Sequence, residues 1–245
     1  MQRYISSELT HFVGKGLSEE NQYLLLVKII SEGFLSHPPH STSMSGNLFV
    51  NINAKLSTDE MYNPQVVCFC DIPYEDLSLH MDKYSRFGLA FDKKFIVSKG
   101  GSPVLYIPTT AKKTRSKTLS VTEIIERHQA GKEPVLREEL EMGKYFDEML
   151  QEYHALSLRN PDVLEEFGFR SFLDRHIFSF VKFFDPALAD DDPNNFYFER
   201  EWRVFGNIHF KAEDVTRILL PHKFSKRFRA DIPHYFGQIS FSRAH

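Results

Sequence analysis

Phe196-Tyr197-Phe198-Glu199-Arg200-Glu201-Trp202-Arg203-Val204-Phe205-Gly206 carries the chain's one tryptophan, two carboxylates and two guanidiniums within a pattern suited to a β-strand. Side chains of a strand alternate between its two faces. Phe196, Phe198, Trp202 and Val204 then share one face with Arg200, and Tyr197, Glu199, Glu201, Arg203 and Phe205 share the other. The second face is polar at its centre. Two acids two residues apart with an arginine beside them either form a solvated ion-pair ladder, the commoner arrangement on a strand, or stand in a cleft that puts negative charge to use.

The chain around this strand has the composition of a soluble globular protein, with 245 residues, 42% hydrophobic and 26% charged. That is enough to bury a substantial core as a single domain over residues 1–245. Twenty-three phenylalanines predict a core built on Phe packing. A net charge of -3 with 11 histidines argues against a broad phosphate-binding surface. The local basic run Lys112, Lys113, Arg115 and Lys117 is a candidate nucleic-acid contact or a solvated charge run. Cys68 and Cys70 would point along the same face of a strand about 7 Å apart, poor for a disulfide and too few for zinc, so both are expected reduced and buried. Asp190-Asp191-Asp192 lacks the alternate spacing and distal Glu of a calcium loop, and no metal site is expected. No apolar run approaches the roughly 18 residues of a membrane span, and Met1-Gln2-Arg3-Tyr4 opens no signal-peptide pattern; a cytoplasmic protein away from membranes is expected.

Strand patterns fall at Leu9–Gly14, Val66–Cys70, Phe87–Phe91, Pro103–Pro108, Val215–Pro221 and Gln238–Phe241. The bracketing prolines place 103–108 near a sheet edge. Ser18 caps a helix over Glu19–Glu32 that Gly33 stops. Residues 37–64 read as a long surface loop, and Tyr74–Tyr84 as a short helix with His80 and Tyr84 on one side. Helical patterns cover 121–129, 137–158 and 172–183. The expected architecture is α+β: a central, mostly antiparallel sheet with a helical insertion at about 111–185.

Several separated signatures then line up. Ser7-Glu8-Leu9-Thr10-His11-Phe12-Val13-Gly14, the helix exit at Gly33-Phe34-Leu35, Cys68-Phe69-Cys70-Asp71-Ile72-Pro73, His80 with Tyr84 and Phe87-Gly88, Pro103-Val104-Leu105-Tyr106, and Glu199-Arg200-Glu201-Trp202-Arg203 together make a chain that resembles the AbiGi family. That family consists of bacterial abortive phage-resistance proteins of the antitoxin component. The resemblance implies a role in phage defence and a partner toxin or antitoxin protein, without a reaction.

At the level of fold, the first-strand His, the helix exit and the late Glu-bearing strand also resemble the ADP-ribosyltransferase plan, including DarT-type enzymes that modify nucleic acid. That resemblance implies NAD as co-substrate and a catalytic set of His11, Tyr84, Glu199 and Glu201. His11 would bind ribose, Tyr84 or Tyr74 would stack on nicotinamide, and Glu201 or Glu199 would stabilise charge developing on the sugar. His80 and Arg203 complete the implied NAD-contacting set with His11 and Tyr74. The Ser-Thr-Ser element of several transferase classes is absent where Cys68-Phe69-Cys70 stands. Two functions therefore stand beside each other, an NAD-dependent ADP-ribosyltransferase-like effector and a non-catalytic antitoxin. A nuclease ranks third, for want of paired acids at metal-binding spacing with a supporting His.

Overall fold

The computed structural model describes residues 6–41, 46–117, 119–162, 168–189, 192 and 194–242. Chain order runs β1 (Glu8–Phe12), α1 (Glu19–Glu32), β2 (Phe34–Leu35), β3 (Leu48–Val50), β4 (Tyr62–Pro64), β5 (Val66–Cys70), α2 (Ser78–Lys83), β6 (Gly88–Asp92) and α3 (Lys93–Ser98). It continues through β7 (Ser102–Pro103), β8 (Leu105–Pro108), β9 (Lys112–Lys117), α4 (Val121–Gln129), β10 (Leu136–Glu141), α5 (Met142–Arg159), β11 (Val181–Phe184), β12 (Glu201–Phe205), β13 (Ile208–His209), β14 (Val215–Leu220) and β15 (Gln238–Phe241). The fold is α+β, built on a seven-stranded sheet of order β15-β14-β6-β1-β5-β12-β7. All its pairings are antiparallel except β14 with β15. β7 lies at the edge, as its proline requires.

One face of the sheet packs on α1. Leu26, Ile29 and Ile30 of the helix meet Leu9, Val67, Phe69, Leu89, Phe91 and Val204 in the main core. Ser18 accepts from the Asn21 amide at the start of α1, and Gly33 ends it in the left-handed region at φ 59. Only a residue without Cβ fits there, since a Cβ would lie 2.4 Å from the Phe210 carbonyl oxygen.

A second core gathers Leu56, Met61, Tyr62, Ile107, Leu150, Val181 and Phe183. The expected surface loop at 37–64 is therefore partly structural: β3 and β4 pair as a hairpin, and its apolar residues are covered by α5 and β11. The insertion at 111–185 is not purely helical either. Residues 136–141 pair as β10 with β9 instead of opening the helix expected from 137, because each face of Leu-Arg-Glu-Glu-Leu-Glu finds a partner across the ladder. The segment expected as one helix over 172–183 is a π-helical stretch Leu173–Ile177, a 3-10 turn Phe178–Phe180, and then β11, parallel to β8.

The strand expected over 196–206 also starts late. Phe196–Glu199 is a 3-10 turn, and Arg200, in the left-handed region at φ 43, swings the chain into β12. Trp202 is half-buried against the main core beneath the Lys93 ammonium, 5.4 Å from its ring centroid. Of the acidic run, Asp190 and Asp191 lie outside the described residues, and Asp192 caps a turn by accepting from the Asn194 amide. Among the described residues no helix is long and apolar enough to cross a membrane.

Candidate functional site

β1 and β5 pair at Thr10 and Cys70. Beyond that bridge a cavity of about 640 Å³ opens between them and reaches α1, the 37–40 turn and α2. That volume lies in the range of small-molecule sites, roughly 300–1,000 Å³, and the wall is mostly apolar, as such sites are. Phe12, Leu17, Leu25, Val66 and Phe69 supply that apolar wall.

Antiparallel register sets the polar end. Glu201 stands opposite Cys70 and Arg203 opposite Cys68, so all four side chains share one face of the sheet. Lys182, from β11, reaches between the acids, with Nζ 2.7 Å from Glu199 Oε2 and 2.8 Å from Glu201 Oε2. Lys83 donates to Glu199 Oε1 at 2.7 Å, and the Tyr84 hydroxyl donates to the same oxygen. Arg203 donates from Nε to Glu201 Oε1 at 2.8 Å and spends a second nitrogen on the Ser179 carbonyl at 2.6 Å. The Glu201 amide donates to the Tyr106 hydroxyl at 2.7 Å. The result is neither the solvated ladder nor a bare carboxylate pair, but a buried cluster in which three cations hold two acids.

Electrostatics follow from that geometry. Burial by itself would raise the Glu201 carboxyl; the charges of Arg203 and Lys182 outweigh it and hold the group down at about 2. Burial opposes ionisation of Glu199 as well, and Lys182, Lys83 and Tyr84 lower it nonetheless. Burial likewise opposes the Lys182 charge, and Glu201 with Glu199 reverses that, so the ammonium stays protonated. Burial and the Glu199 charge push the Tyr84 phenol up, which keeps it a donor.

His11 sits at the apolar end. Its Nδ1 donates to the Cys68 carbonyl at 2.8 Å, and burial lowers the ring to about 4, so it is neutral at pH 7. His80 lines the wall beside Phe12, its ring also lowered by burial. Cys68 departs from expectation: Cys70 is buried, but Cys68 opens on the cavity, its thiol held protonated by burial and by Glu201.

Of the residues singled out in the sequence, His11, His80, Tyr84, Glu199 and Glu201 all line this one cavity. His11 and Glu201 do not lie on neighbouring strands, since β5 runs between β1 and β12. Arg203 stands behind Glu201. Tyr74 is elsewhere: its hydroxyl donates to the Phe241 carbonyl and its ring lies against Arg217, because the 3-10 turn Tyr74–Asp76 faces the β15 side. In the basic run on β9, Arg115 binds Glu138 of β10 and Glu148 of α5, and Lys112 lies 3.7 Å from Glu139 of β10, so these two cations have acidic neighbours. Lys182 and His40 are among the cavity residues that the sequence did not mark. A lysine between Val181 and Phe183 is the one signal for the first; nothing in the Pro-rich turn signals the second.

The sequence model of a family described as "Putative abortive phage resistance protein AbiGi, antitoxin" matches residues 50–231, more than two thirds of the chain. The chain belongs to the AbiGi family. No curated protein and no solved structure matches it significantly. The AbiGi match takes in Tyr84, Lys182, Glu199, Glu201 and Arg203, and leaves His11 and His40 before its start. Among the described residues no cluster of three or more His, Cys, Asp or Glu side chains could hold a metal ion.

Proposed function

We propose that this AbiGi protein is a phage-defence effector whose cavity binds NAD and transfers ADP-ribose to a macromolecule. The observation that carries the proposal is the convergence of His11, Tyr84, Glu199 and Glu201, from three stretches distant in sequence, on one cavity. NAD fits these residues in two respects. His11 lines the cavity, and its Nε2 is buried without a protein partner, an acceptor that a sugar hydroxyl would satisfy once the ring turns toward the ligand. The Tyr84 ring lies under the Lys15 ammonium, 4.7 Å from the centroid, where a cationic nicotinamide ring would take the ammonium's place.

Bound there, NAD would supply a glycosidic bond that breaks with its electron pair leaving on nicotinamide, as positive charge develops on the sugar and the acceptor's nucleophilic atom bonds to the anomeric carbon. Glu201 serves that charge as a fixed anion in a water-poor site. A carboxyl held at about 2 is a poor proton acceptor at neutral pH, so its role is electrostatic, and the acceptor's proton leaves through solvent. Tyr84 and Lys83 hold Glu199 beside it as a positioning group.

A non-catalytic antitoxin is the second reading, and one observation favours it: both carboxylates already carry cationic partners, as in a structural cluster. Incubation with labelled NAD and either nucleic acid or cell lysate separates the two. Label transfer by the wild type that drops about 100-fold or more in Glu201→Gln supports the effector. No transfer, with stable capture of a partner toxin, supports the antitoxin.

A further inference from the structure

The turn that follows β1 hangs a cation where the cavity meets solvent. Gly14 and Gly16 both stand in the left-handed region at φ 78. The Leu17 amide donates to the Gly14 carbonyl at 3.0 Å, so Lys15 and Gly16 form the tip of a tight turn whose third position calls for glycine. Gln22, in the first turn of α1, lashes the base of it: Nε2 donates to the Gly14 carbonyl at 3.2 Å and to the Leu17 carbonyl at 3.1 Å. A Cβ at Gly14 would lie 3.0 Å from Gln22 Cγ, whereas one at Gly16 would meet nothing within 4 Å. The base of the turn is packed and its tip is open, which leaves the Lys15 side chain as the movable part.

Gly14, Lys15 and Leu17 line the cavity, and Lys15 is exposed. Its ammonium lies over the Tyr84 ring, 4.7 Å from the centroid. A second ammonium, that of Lys83, stands 5.5 Å from the same centroid, but it is tied to Glu199 at 2.7 Å. Among the described residues Lys15 has no carboxylate partner. A cation–π contact at an exposed site shifts an equilibrium only about two- to fivefold, so a ligand can displace this one. Charge then decides which ligand does so with a gain. A cationic ring arriving alone on Tyr84 evicts the ammonium and leaves two positive charges side by side. A ligand that carries an anionic group beside its cationic ring offers the evicted ammonium a partner within reach of a flexible four-carbon stem.

We infer that Lys15 is a specificity-determining residue: displaced from Tyr84, it pairs with an anionic group of the incoming ligand, and so selects ligands that join a cationic aromatic ring to a phosphate over ligands that carry the ring alone. Lys15 takes this role on the NAD proposal, which supplies the ring; the choice by charge needs no transfer chemistry.

The test is calorimetric binding at pH 7.5 of nicotinamide riboside and nicotinamide mononucleotide, which share the cationic ring and differ in the phosphate, with NAD beside them. Wild type is compared with Lys15→Met, which keeps the stem and removes the charge, and with Lys15→Arg, which keeps the charge. Wild type is expected to bind the mononucleotide about fivefold or more tighter than the riboside at about 0.05 M salt, and this ratio to fall at about 0.5 M. Lys15→Met is expected to tighten the riboside about two- to fivefold and to bring the ratio below about twofold, and Lys15→Arg to keep most of it. A wild-type ratio below about twofold, a ratio indifferent to salt, or a ratio that survives in Lys15→Met overturns the inference and leaves the NAD proposal standing, and the first two need no variant. The expected ratios without transfer of label sink the transferase and leave the selection by Lys15 standing. Failure of the wild type to bind any of the three ligands sinks both.

Discussion

Glu201 and the pair His11 and His40 respond to acid in the same direction for opposite reasons. Glu201 is held ionised, at about 2 against an ordinary 4.5, so the stability it contributes is present above pH 4.5 and is lost as pH falls toward 2. The histidines are held neutral, at about 4 and about 3 against 6.5, so between those values and 6.5 the unfolded chain binds more protons than the folded one. Stability therefore begins to fall below pH 6.5, well before Glu201 titrates. The expected observation is a urea midpoint that declines steadily from pH 6.5 to 4 in the wild type. His40→Asn should show a visibly shallower decline, since one of the rings that burial holds neutral is gone. Equal slopes in the two proteins would mean that His40 is not held neutral by the fold. None of this was readable from the histidines' positions in the sequence, because a depressed ring pKa comes from burial that only the closed cavity supplies.

At the scale of elements, legibility followed how local the determinants are. α1, β5, α4 and β15 run where the sequence placed them, because caps and turn residues mark their ends: Ser18 and Gly33 for α1, a full capping box of Ser120 and Glu123 for α4. Residues 136–141 and 181–184 were misread because their strand state is imposed by β9 and β8, which lie far off in sequence and cannot be seen in a periodicity. The 196–206 stretch failed for a third reason. A left-handed Arg200 has no sequence signature comparable to glycine, yet it turns Glu199 and Glu201 onto the same lysine. The glycine at the end of α1 gives a direct test of how tightly elements meet. Gly33→Ala adds a Cβ 2.4 Å from the Phe210 carbonyl oxygen, whereas Gly100→Ala, at a similar positive φ of 83, meets nothing within 4 Å. Gly100→Ala should cost about 1 kcal/mol, the backbone penalty alone. Gly33→Ala should cost distinctly more, measured as the difference in denaturant midpoint, because β13 must move away from the helix end.

At the scale of the whole molecule, Lys182 ties the main core to the second one by charge. It lies on β11 between Val181 and Phe183, both in the second core, and its ammonium ends on Glu199 and Glu201 at the rim of the main sheet. Its neighbours pack apolar surface, and Lys182 as a whole is 8% exposed. The balance of energies here is one-sided. A buried ion pair contributes little relative to an apolar substitute, but removal of one partner leaves charge stranded and costs about 3–5 kcal/mol. Lys182→Met keeps the length and the packing and removes the charge, so at pH 7 it should destabilise the chain by that amount. The loss should be partly repaired by Glu199→Gln, which takes away one of the two stranded acids and leaves Arg203 to serve Glu201. If Lys182→Met cost less than about 1 kcal/mol, or the double variant were no more stable than the single, the lysine would be a bystander to the carboxylates. Recovery in the double variant would place the coupling between insertion and sheet at these three side chains.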